Sequence, residues 1–323
     1  MIVGEKDMEA DLKEEWYGQE AKVVEQNKEY LVVDYDGQGR NMITSYFLFD
    51  GIRLCFLDFD TDEMIPVSKS DADVIWITHI QKGGYECEFA NNTVSYLTEG
   101  FFGVAGKKYL PISFSIPLKR CQGISLVIDQ QALSERTRKL MSEIPVDIDK
   151  IKGNLGIENR WYVDKTPEKI QQLFTQMYEG RGREAVGYFK LKVLELLYYI
   201  ERSARMGGCE LKYFDKEQIQ KIKEIHNRLV DHPDEKVSLE SLVKEAHLSI
   251  TLFHNLFSRV YGDTPYAYLK KYKMNIAAKI LMKEEQKISD IALGLGYSNA
   301  SKFSKAFQSV YGVLPKDYRK ANK

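Results

Sequence analysis

Residues 288–312 read ISDIALGLGYSNASKFSKAFQSVYG, and they contain two short helical patterns on either side of a turn. Apolar residues are Ile288, Ile291, Ala292 and Leu295 before the turn, and Phe303, Ala306, Phe307 and Val310 after it. Three- and four-residue steps place each set along one face of an α-helix. Glycine at the end, in Val310-Tyr311-Gly312, is typical of a helix stop. The stretch therefore predicts a helix, a sharp turn and a second helix.

The same arrangement occurs once more upstream, in residues 239–262. Its apolar stripes are Leu239, Leu242, Val243 and Ala246, followed by Phe253, Leu256, Phe257 and Val260. The turns contain His247-Leu248-Ser249 and Gly296-Tyr297-Ser298, and their serines are placed to cap the next helix. His247 stands where the second copy has glycine, so we expect a left-handed backbone there or a different turn.

The second helix of each copy leaves a polar face outside its apolar stripe. That face carries hydrogen-bonding groups and no carboxylate: Thr251, His254, Asn255 and Ser258 in the first copy, and Ser301, Ser304, Lys305 and Gln308 in the second. Such a face suits the major groove of DNA, where base edges are read directly and phosphates repel acidic residues. The alternative is a pair of helical hairpins that serve only as a scaffold.

The stretch from Leu239 to Arg319 resembles the DNA-binding domain of the AraC/XylS family of bacterial transcription regulators. The resemblance rests on Ile291–Asn299, on Phe303-Ser304-Lys305-Ala306-Phe307, and on Gly312, Pro315 and Tyr318-Arg319. Residues 273–281 are similar to the linker helix of that family, with Ala277 and Leu281 at its small and leucine positions. Asn255 stands where many members have arginine, and Ala300 removes a polar group from the start of the second reading helix, so we expect base preferences that differ from those of the family.

The resemblance implies that the second helix of each copy enters one of two successive major grooves. A helix from Pro265 to Met282 would span about 27 Å, against about 34 Å for one turn of DNA. We therefore predict double-stranded DNA as a partner. The predicted base-reading residues are Thr251, His254, Asn255, Ser258, Ser301, Ser304 and Lys305, and the predicted phosphate contacts are Arg259, Asn299 and Lys302.

The net charge of -1 hides an uneven distribution of charge. Residues 215–323 contain 19 Lys and Arg against 13 Asp and Glu, whereas the preceding residues contain 27 against 34. This distribution suits a basic module that binds a polyanion, attached to an acidic region that does not itself bind DNA.

The chain shows no signal peptide and no apolar run long enough to span a bilayer, so we expect a cytoplasmic protein without membrane contact. Its four cysteines have no CxxC spacing, which argues against a zinc site or a disulfide framework. We expect them to be reduced, with thiol sensing as the alternative.

Residues 30–128 have the residue pattern of a β-rich domain, with short runs of β-branched and aromatic residues separated by Gly, Asn and Asp. Lys82-Gly83-Gly84 and Ala90-Asn91-Asn92 are predicted to be hairpin turns. The resulting fold class is α+β multidomain: an antiparallel β barrel or jelly-roll-like domain with a helical segment, and an all-α domain with two helix-turn-helix motifs. The family resemblance points the same way, because many AraC-type regulators carry a cupin-like domain there.

Four regions follow from these patterns. Residues 1–130 form the cupin-like sensor, 131–206 a helical packing or dimerisation segment, 207–214 a linker with a Gly207-Gly208 hinge, and 215–323 the DNA-binding domain. The predicted helices of the middle segment include Pro167–Tyr178 with Thr166 as its cap, and Arg183–Arg205. The latter has more apolar surface than one stripe needs, so it either packs within the chain or forms a homodimer.

A small-molecule effector is expected inside the β-rich domain. Candidate lining residues are strand-borne aromatic and polar side chains: Tyr46, Trp76, Thr78, His79, Tyr85, Glu86, Phe101 and Phe102. The alternative for each is an ordinary core position. His79 stands alone in this region, so neither a metal nor another cofactor is predicted.

These features predict a ligand-responsive transcription regulator, an activator that would also contact RNA polymerase. One alternative keeps the DNA-binding domain but gives the amino-terminal half only a dimerising or protein-binding role. Another is an enzyme fused to a DNA-binding tail, which would need a metal cluster or an activated cysteine that the spacing does not provide. No catalytic residue is predicted.

Overall fold

The computed structural model describes residues 16–18, 20–61, 65–66, 72–117, 119–203, 214–231, 238–283 and 286–321. The chain divides into two compact units at the step from Phe214 to Asp215. The predicted Gly207-Gly208 hinge lies outside the described residues.

The amino-terminal unit contains antiparallel strands, as the sequence predicts. Their bounds are β1 Lys22–Gln26, β2 Tyr30–Asp34, β3 Asn41–Phe49, β4 Ile52–Phe59, β5 Ile65–Pro66, β6 Val74–Phe89, β7 Thr93–Thr98, β8 Phe101–Gly106, β9 Ser113–Ser115, β10 Cys121–Asp129 and β11 Tyr162–Lys165. A two-residue strand, β12 Phe214–Asp215, lies at the boundary between the units. One sheet has the order β1-β2-β3-β4-β10-β6-β8-β11, and a second contains β7, β6, β9 and β5.

Strand β6 belongs to both sheets. It runs through Lys82-Gly83-Gly84 without a break, so the hairpin predicted there is wrong. The chain bends instead: Gly83 has φ of +74°, and the register with β10 shifts between Gln122 and Gly123. A Cβ at Gly83 would collide with the backbone of Arg120, so glycine permits a bulge within the strand. By contrast, Ala90-Asn91-Asn92 forms the predicted turn between β6 and β7.

Helices cover one face of the first sheet: α1 Glu135–Glu143, α2 Ile148–Leu155, α3 Glu168–Gly180 and α4 Val186–Ser203. The apolar cluster between helices and sheet includes the buried rings of Phe56, Phe102, Phe174 and Phe189. Strand β11 interrupts the predicted helical segment because it pairs with β8 and continues the first sheet.

Thr166 does not cap α3, contrary to the prediction. Its N–H donates to the carbonyl of Gly100 at 2.9 Å, which continues the β11–β8 pairing by one residue. The chain is therefore still extended at Thr166, and Pro167 occupies the cap position without a side-chain hydrogen bond.

Most of the apolar surface of α4 is used within the unit. Phe189, Val193, Leu196, Leu197 and Ile200 are buried in the cluster against the sheet. Leu191 is the exception, with 70% of its surface exposed. Intramolecular packing thus accounts for the apolar excess that the sequence shows in this helix.

The carboxy-terminal unit is helical. Its helices are α5 Lys216–Asp231, α6 Leu239–Glu245, α7 Ile250–Tyr261, α8 Pro265–Lys283, α9 Ile288–Gly294, α10 Ala300–Tyr311 and α11 Pro315–Ala321. The two predicted helix-turn-helix motifs are therefore α6–α7 and α9–α10, with α8 between them.

Candidate functional site

Helix α7 is held by its apolar face and by defined ends. Phe253, Leu256 and Phe257 are buried. The Ser249 hydroxyl accepts the N–H of Leu252 at 3.2 Å, so this serine is the predicted N-cap. At the other end Gly262 closes the helix in a left-handed conformation. These contacts determine which face of α7 is exposed to solvent.

Helix α10 is built in the same way, with one difference at its start. Asn299, and not Ser298, is the N-cap: its Oδ1 accepts the N–H of Lys302 at 2.8 Å. The predicted serine cap is therefore wrong, because α10 begins one residue later than the pattern suggested. Asn299, predicted to contact phosphate, has its side-chain oxygen engaged in the cap.

The turns of both motifs have the same backbone geometry. In the first, His247 N–H donates to Lys244 O and Leu248 N–H to Val243 O; in the second, Gly296 N–H donates to Leu293 O and Tyr297 N–H to Ala292 O. These are paired bonds of the Schellman type, which need a left-handed residue. His247 indeed has φ of +56° and Gly296 of +78°.

The predicted base-reading residues lie on the outward faces of α7 and α10. Thr251, Asn255, Ser301 and Lys305 are exposed, and His254, Ser258 and Ser304 are half-buried. The predicted phosphate-binding residues Arg259, Asn299 and Lys302 are exposed as well. Neither helix contains an Asp or Glu, so both outward faces can approach a polyanion.

A contact that the sequence pattern missed orients the first face. The His254 ring lies 6.1 Å from that of Tyr266 at the start of α8. The Tyr266 hydroxyl donates to Glu240 Oε1 at 2.9 Å, and Ser238 donates to Glu240 Oε2 at 2.8 Å. The pKa of the Glu240 carboxyl is lowered, first by its own backbone N–H and then by these two hydroxyls. A fixed negative charge therefore lies beside the reading face.

Helix α8 is packed against both motifs. Its tyrosine Tyr268 contacts the rings of Phe257 and Tyr261, with centroids 5.6 and 5.2 Å apart. Further along, Ala277 and Leu281 are buried with Phe303 and Phe307. The helix has 19 residues, which span about 28 Å at about 1.5 Å per residue. Packing at both ends makes α8 a stiff spacer between α7 and α10.

The amino-terminal unit contains a cavity of about 80 Å³ between its sheets. Its wall is mainly aromatic and apolar: Trp16, Tyr35, Ile43, Leu57, Phe59, Trp76, Thr78, Tyr85, Cys87, Gly103, Ala105, Leu110, Pro111, Phe114, Cys121, Ser125 and Trp161. Three predicted residues, Trp76, Thr78 and Tyr85, are among them.

The other predicted pocket residues lie elsewhere because side chains alternate along a strand. His79 and Phe102 point to the helix-covered face, where His79 stacks on Phe174 at 4.4 Å. Tyr46 lies there too, 4.9 Å from Phe189. Glu86 accepts a hydrogen bond from Tyr96, and Phe101 packs at the edge of the inter-sheet cluster. None of these five belongs to the cavity lining of the described residues.

Sequence reasoning missed the wall residues that come from outside the longer strands. Trp16 precedes β1, Phe114 lies in β9, and Trp161 directly precedes β11. The size and apolar character of these rings suggest that they are buried. No local sequence pattern, however, indicates that residues so far apart in the chain contact one cavity.

Several polar groups of the cavity wall are hydrogen-bonded. Thr78 Oγ1 and Ser125 Oγ are 2.7 Å apart, and the Tyr35 hydroxyl donates to Tyr17 O at 3.1 Å. Burial raises the pKa of the Cys87 thiol, and it raises that of Cys121 to about 12. Both thiols are therefore neutral near pH 7, which argues against reactive cysteines here.

The described part of the chain offers neither a metal-binding cluster nor a membrane-spanning helix. No group of three His, Cys, Asp or Glu side chains is arranged to hold a metal ion. None of the described helices combines the length and apolar character needed to cross a membrane.

Comparison with known proteins agrees with the geometry of the carboxy-terminal unit. A family model described as a helix-turn-helix domain matches residues 242–321. The probable transcriptional regulator LumQ of Photobacterium leiognathi is 29% identical over 157 residues, which are 48% of this chain and 60% of LumQ. The RCS-specific HTH-type transcriptional activator RclR of Escherichia coli (strain K12) is 37% identical over 92 residues, which are 28% of this chain and 32% of RclR.

Among solved structures, the C-terminal domain of AraT, a response regulator from Geobacillus stearothermophilus, is 26% identical. The match covers 31% of this chain and 84% of that one, with a TM-score of 0.30. The chain matches less than two thirds of the length of either LumQ or RclR.

Proposed function

We propose that this chain, whose residues 242–321 form a helix-turn-helix domain of the AraC type, is a sequence-specific transcription regulator that acts as an activator. The observation that carries the proposal is the pair of outward, acid-free faces on α7 and α10, mounted on one spacer helix. Two such faces can read two neighbouring major grooves, since the span of α8 is comparable to one turn of DNA, about 34 Å.

The roles within each face follow from side-chain chemistry. Thr251, Asn255, Ser301 and Lys305 are exposed groups that can bond to base edges, with His254, Ser258 and Ser304 beside them. Arg259 and Lys302 supply positive charge to phosphates. Asn299 orients α10 through its cap and offers its amide N–H to a phosphate.

The amino-terminal unit supplies regulation in this proposal. Its cavity is the site for a small-molecule effector, and the chain works in the cytoplasm with RNA polymerase as a partner. Self-association into a homodimer is part of the proposal; the exposed Leu191 on α4 is an apolar group available for it. The competing function is a regulator whose amino-terminal unit only dimerises or binds a protein.

The test begins with selection of duplexes from a random pool by the full chain. We expect one enriched site with two conserved blocks about one helical turn apart, about 10 base pairs. Failure to enrich any site over bulk DNA at every salt concentration tried would overturn the proposal.

Single substitutions then separate base reading from phosphate binding. Asn255→Ala and Lys305→Ala should each weaken binding to the selected site by about 1 to 3 kcal/mol and relax preference at one block. Arg259→Ala and Lys302→Ala should weaken binding to all sequences about equally and flatten the dependence of affinity on salt. Lys139→Ala, an exposed lysine on α1, is the matched charge control and should change neither quantity.

A further inference from the structure

The cavity between the sheets has a wall without charge. Among the described residues that line it, none is Asp, Glu, Lys, Arg or His. Moving an ionised ligand into such a site costs its hydration without supplying an opposite charge. The wall chemistry therefore selects against carboxylates and ammonium ions and favours uncharged molecules.

One hydrogen-bond donor of this wall lacks an acceptor. Trp76 lines the cavity, and its indole Nε1 is buried with no hydrogen-bond partner in the described part of the chain. The neighbouring hydroxyls of Thr78 and Ser125 bond to each other at 2.7 Å, and neither accepts the indole N–H. A buried donor left unpaired costs free energy, which a ligand carrying an acceptor would recover.

The shape and volume of the cavity limit the ligand further. The wall presents flat rings from several directions, including Tyr35, Phe59, Phe114 and Trp161, and such rings pack well against another flat ring. An engineered apolar cavity of about 150 Å³ holds benzene, so a volume near 80 Å³ suits a smaller ring or chain.

We infer that this cavity binds a compact, uncharged, flat molecule that offers one hydrogen-bond acceptor to the indole N–H of Trp76. The inference rests on the proposed function in that it specifies the chemical class of the effector. It assigns Trp76 as the residue that determines specificity and the aromatic wall as the source of affinity.

The test uses three small probes with the full chain. Thiazole is a five-membered ring with a nitrogen acceptor, thiophene has nearly the same shape without that nitrogen, and propionate is a charged molecule of similar size. The chain has 3 tryptophans, so ¹⁵N labelling of indole nitrogens gives one signal each for Trp16, Trp76 and Trp161. Titration of these signals measures affinity and reports the hydrogen bond directly.

We expect thiazole to bind about fivefold more tightly than thiophene, because one hydrogen bond distinguishes them. The Trp76 indole proton signal should move downfield with thiazole but not with thiophene, and propionate should not bind. Equal affinities with no Trp76 shift, tighter binding of propionate, or no saturation by any probe would each overturn the inference.

Variants provide a second line of evidence. Trp76→Phe keeps an aromatic ring and removes the donor, so it should abolish the preference for thiazole while thiophene still binds. Ala105→Leu should fill the cavity and prevent binding of both probes, since Ala105 is a buried wall residue. Tyr46→Phe, outside the wall, should behave like the unaltered chain. A preference for thiazole that persists in Trp76→Phe would contradict the assignment.

DNA affinity measured on the same samples distinguishes this inference from the proposed function. Specific DNA binding without any bound probe would refute the cavity assignment alone. Probe binding as described, without specific DNA binding, would refute the proposed regulator and leave the cavity chemistry standing.

Discussion

At the scale of single residues, His79 links the stability of the amino-terminal unit to pH. Its ring is fully buried, stacks on Phe174, and places Nε2 2.8 Å from Gln171 Oε1. Burial lowers the pKa of His79 from 6.5 to about 4, against a smaller opposing effect of the Gln171 hydrogen bond. The folded unit therefore holds this imidazole neutral where the unfolded chain would protonate it.

The sign of the effect follows from proton counting. Between pH 6.5 and about 4 the unfolded chain binds more protons at His79, so stability falls as pH falls. We expect this residue to account for a loss of about 3 kcal/mol in the free energy of unfolding over that range. Urea unfolding followed by tryptophan fluorescence reports this unit, since its tryptophans are Trp16, Trp76 and Trp161. His79→Phe should reduce the slope with pH; an unchanged slope would contradict the prediction.

His247 and Gly296 form a natural matched pair for backbone strain. Both occupy the left-handed position of a helix-turn-helix turn, but only glycine does so without steric cost. His247→Gly should stabilise residues 215–323 by up to about 1 kcal/mol, and Gly296→His should destabilise them by about 1 kcal/mol. Unfolding of that fragment by urea, followed by circular dichroism, measures both. His247→Ala keeps a Cβ and is the control; a gain as large as that of glycine would rule out strain as the cause.

At the scale of elements, α8 sets the relation between the two reading helices. Tyr272 belongs to its first half, with its hydroxyl bonded to Val230 O at 3.2 Å, and Met274 begins the part buried with the second motif. Inserting one alanine between Tyr272 and Lys273 would turn the second half by about 100° and advance it by about 1.5 Å.

We expect this insertion to leave each motif folded but unable to engage both grooves together. Affinity for the full site should fall by about 100-fold or more, toward that of a single block, because the second contact no longer adds to the first. Nuclease footprinting should show one protected block instead of two. Lys270→Ala, an exposed substitution in the same helix, should keep the affinity for the full site and both protected blocks. Two protected blocks in the insertion variant would argue against a stiff spacer.

The continuity of strand β6 could not be predicted from its local sequence. Lys82-Gly83-Gly84 has the composition of a hairpin turn, yet Gly83 serves a bulge within one strand of 16 residues. The same glycine chemistry permits either outcome, because both need a positive φ. Pairing with β10 and β8 on one side and β7 and β9 on the other decided between them.

At the scale of the whole molecule, division into two compact units predicts separable activities. A fragment of residues 215–323 should fold alone, select the same DNA site as the full chain, and show no response to probes of the cavity. Its excess of 19 basic over 13 acidic residues also predicts a steeper fall of affinity with salt than expected for a neutral module. Selection of a different site by the fragment would show that the amino-terminal unit takes part in base reading.

The helical motifs of the carboxy-terminal unit and their outward faces could be predicted from the residue pattern alone. Helix period, capping serine at Ser249, and the stops at Gly262 and Gly312 act over a few residues, so they can be read locally. The pattern of β-branched and aromatic residues in 30–128 was likewise enough to predict a domain of antiparallel strands.

Which side of each strand faces the cavity, and which residues complete its wall, became clear only from the folded chain. Between Val74 and Ile80 most residues on both faces of β6 are buried, so alternation alone could not separate Trp76 and Thr78 from His79. The cavity is closed by residues as distant in sequence as Trp16 and Trp161. Such contacts depend on strand order and register, which long-range pairing sets and local composition does not encode.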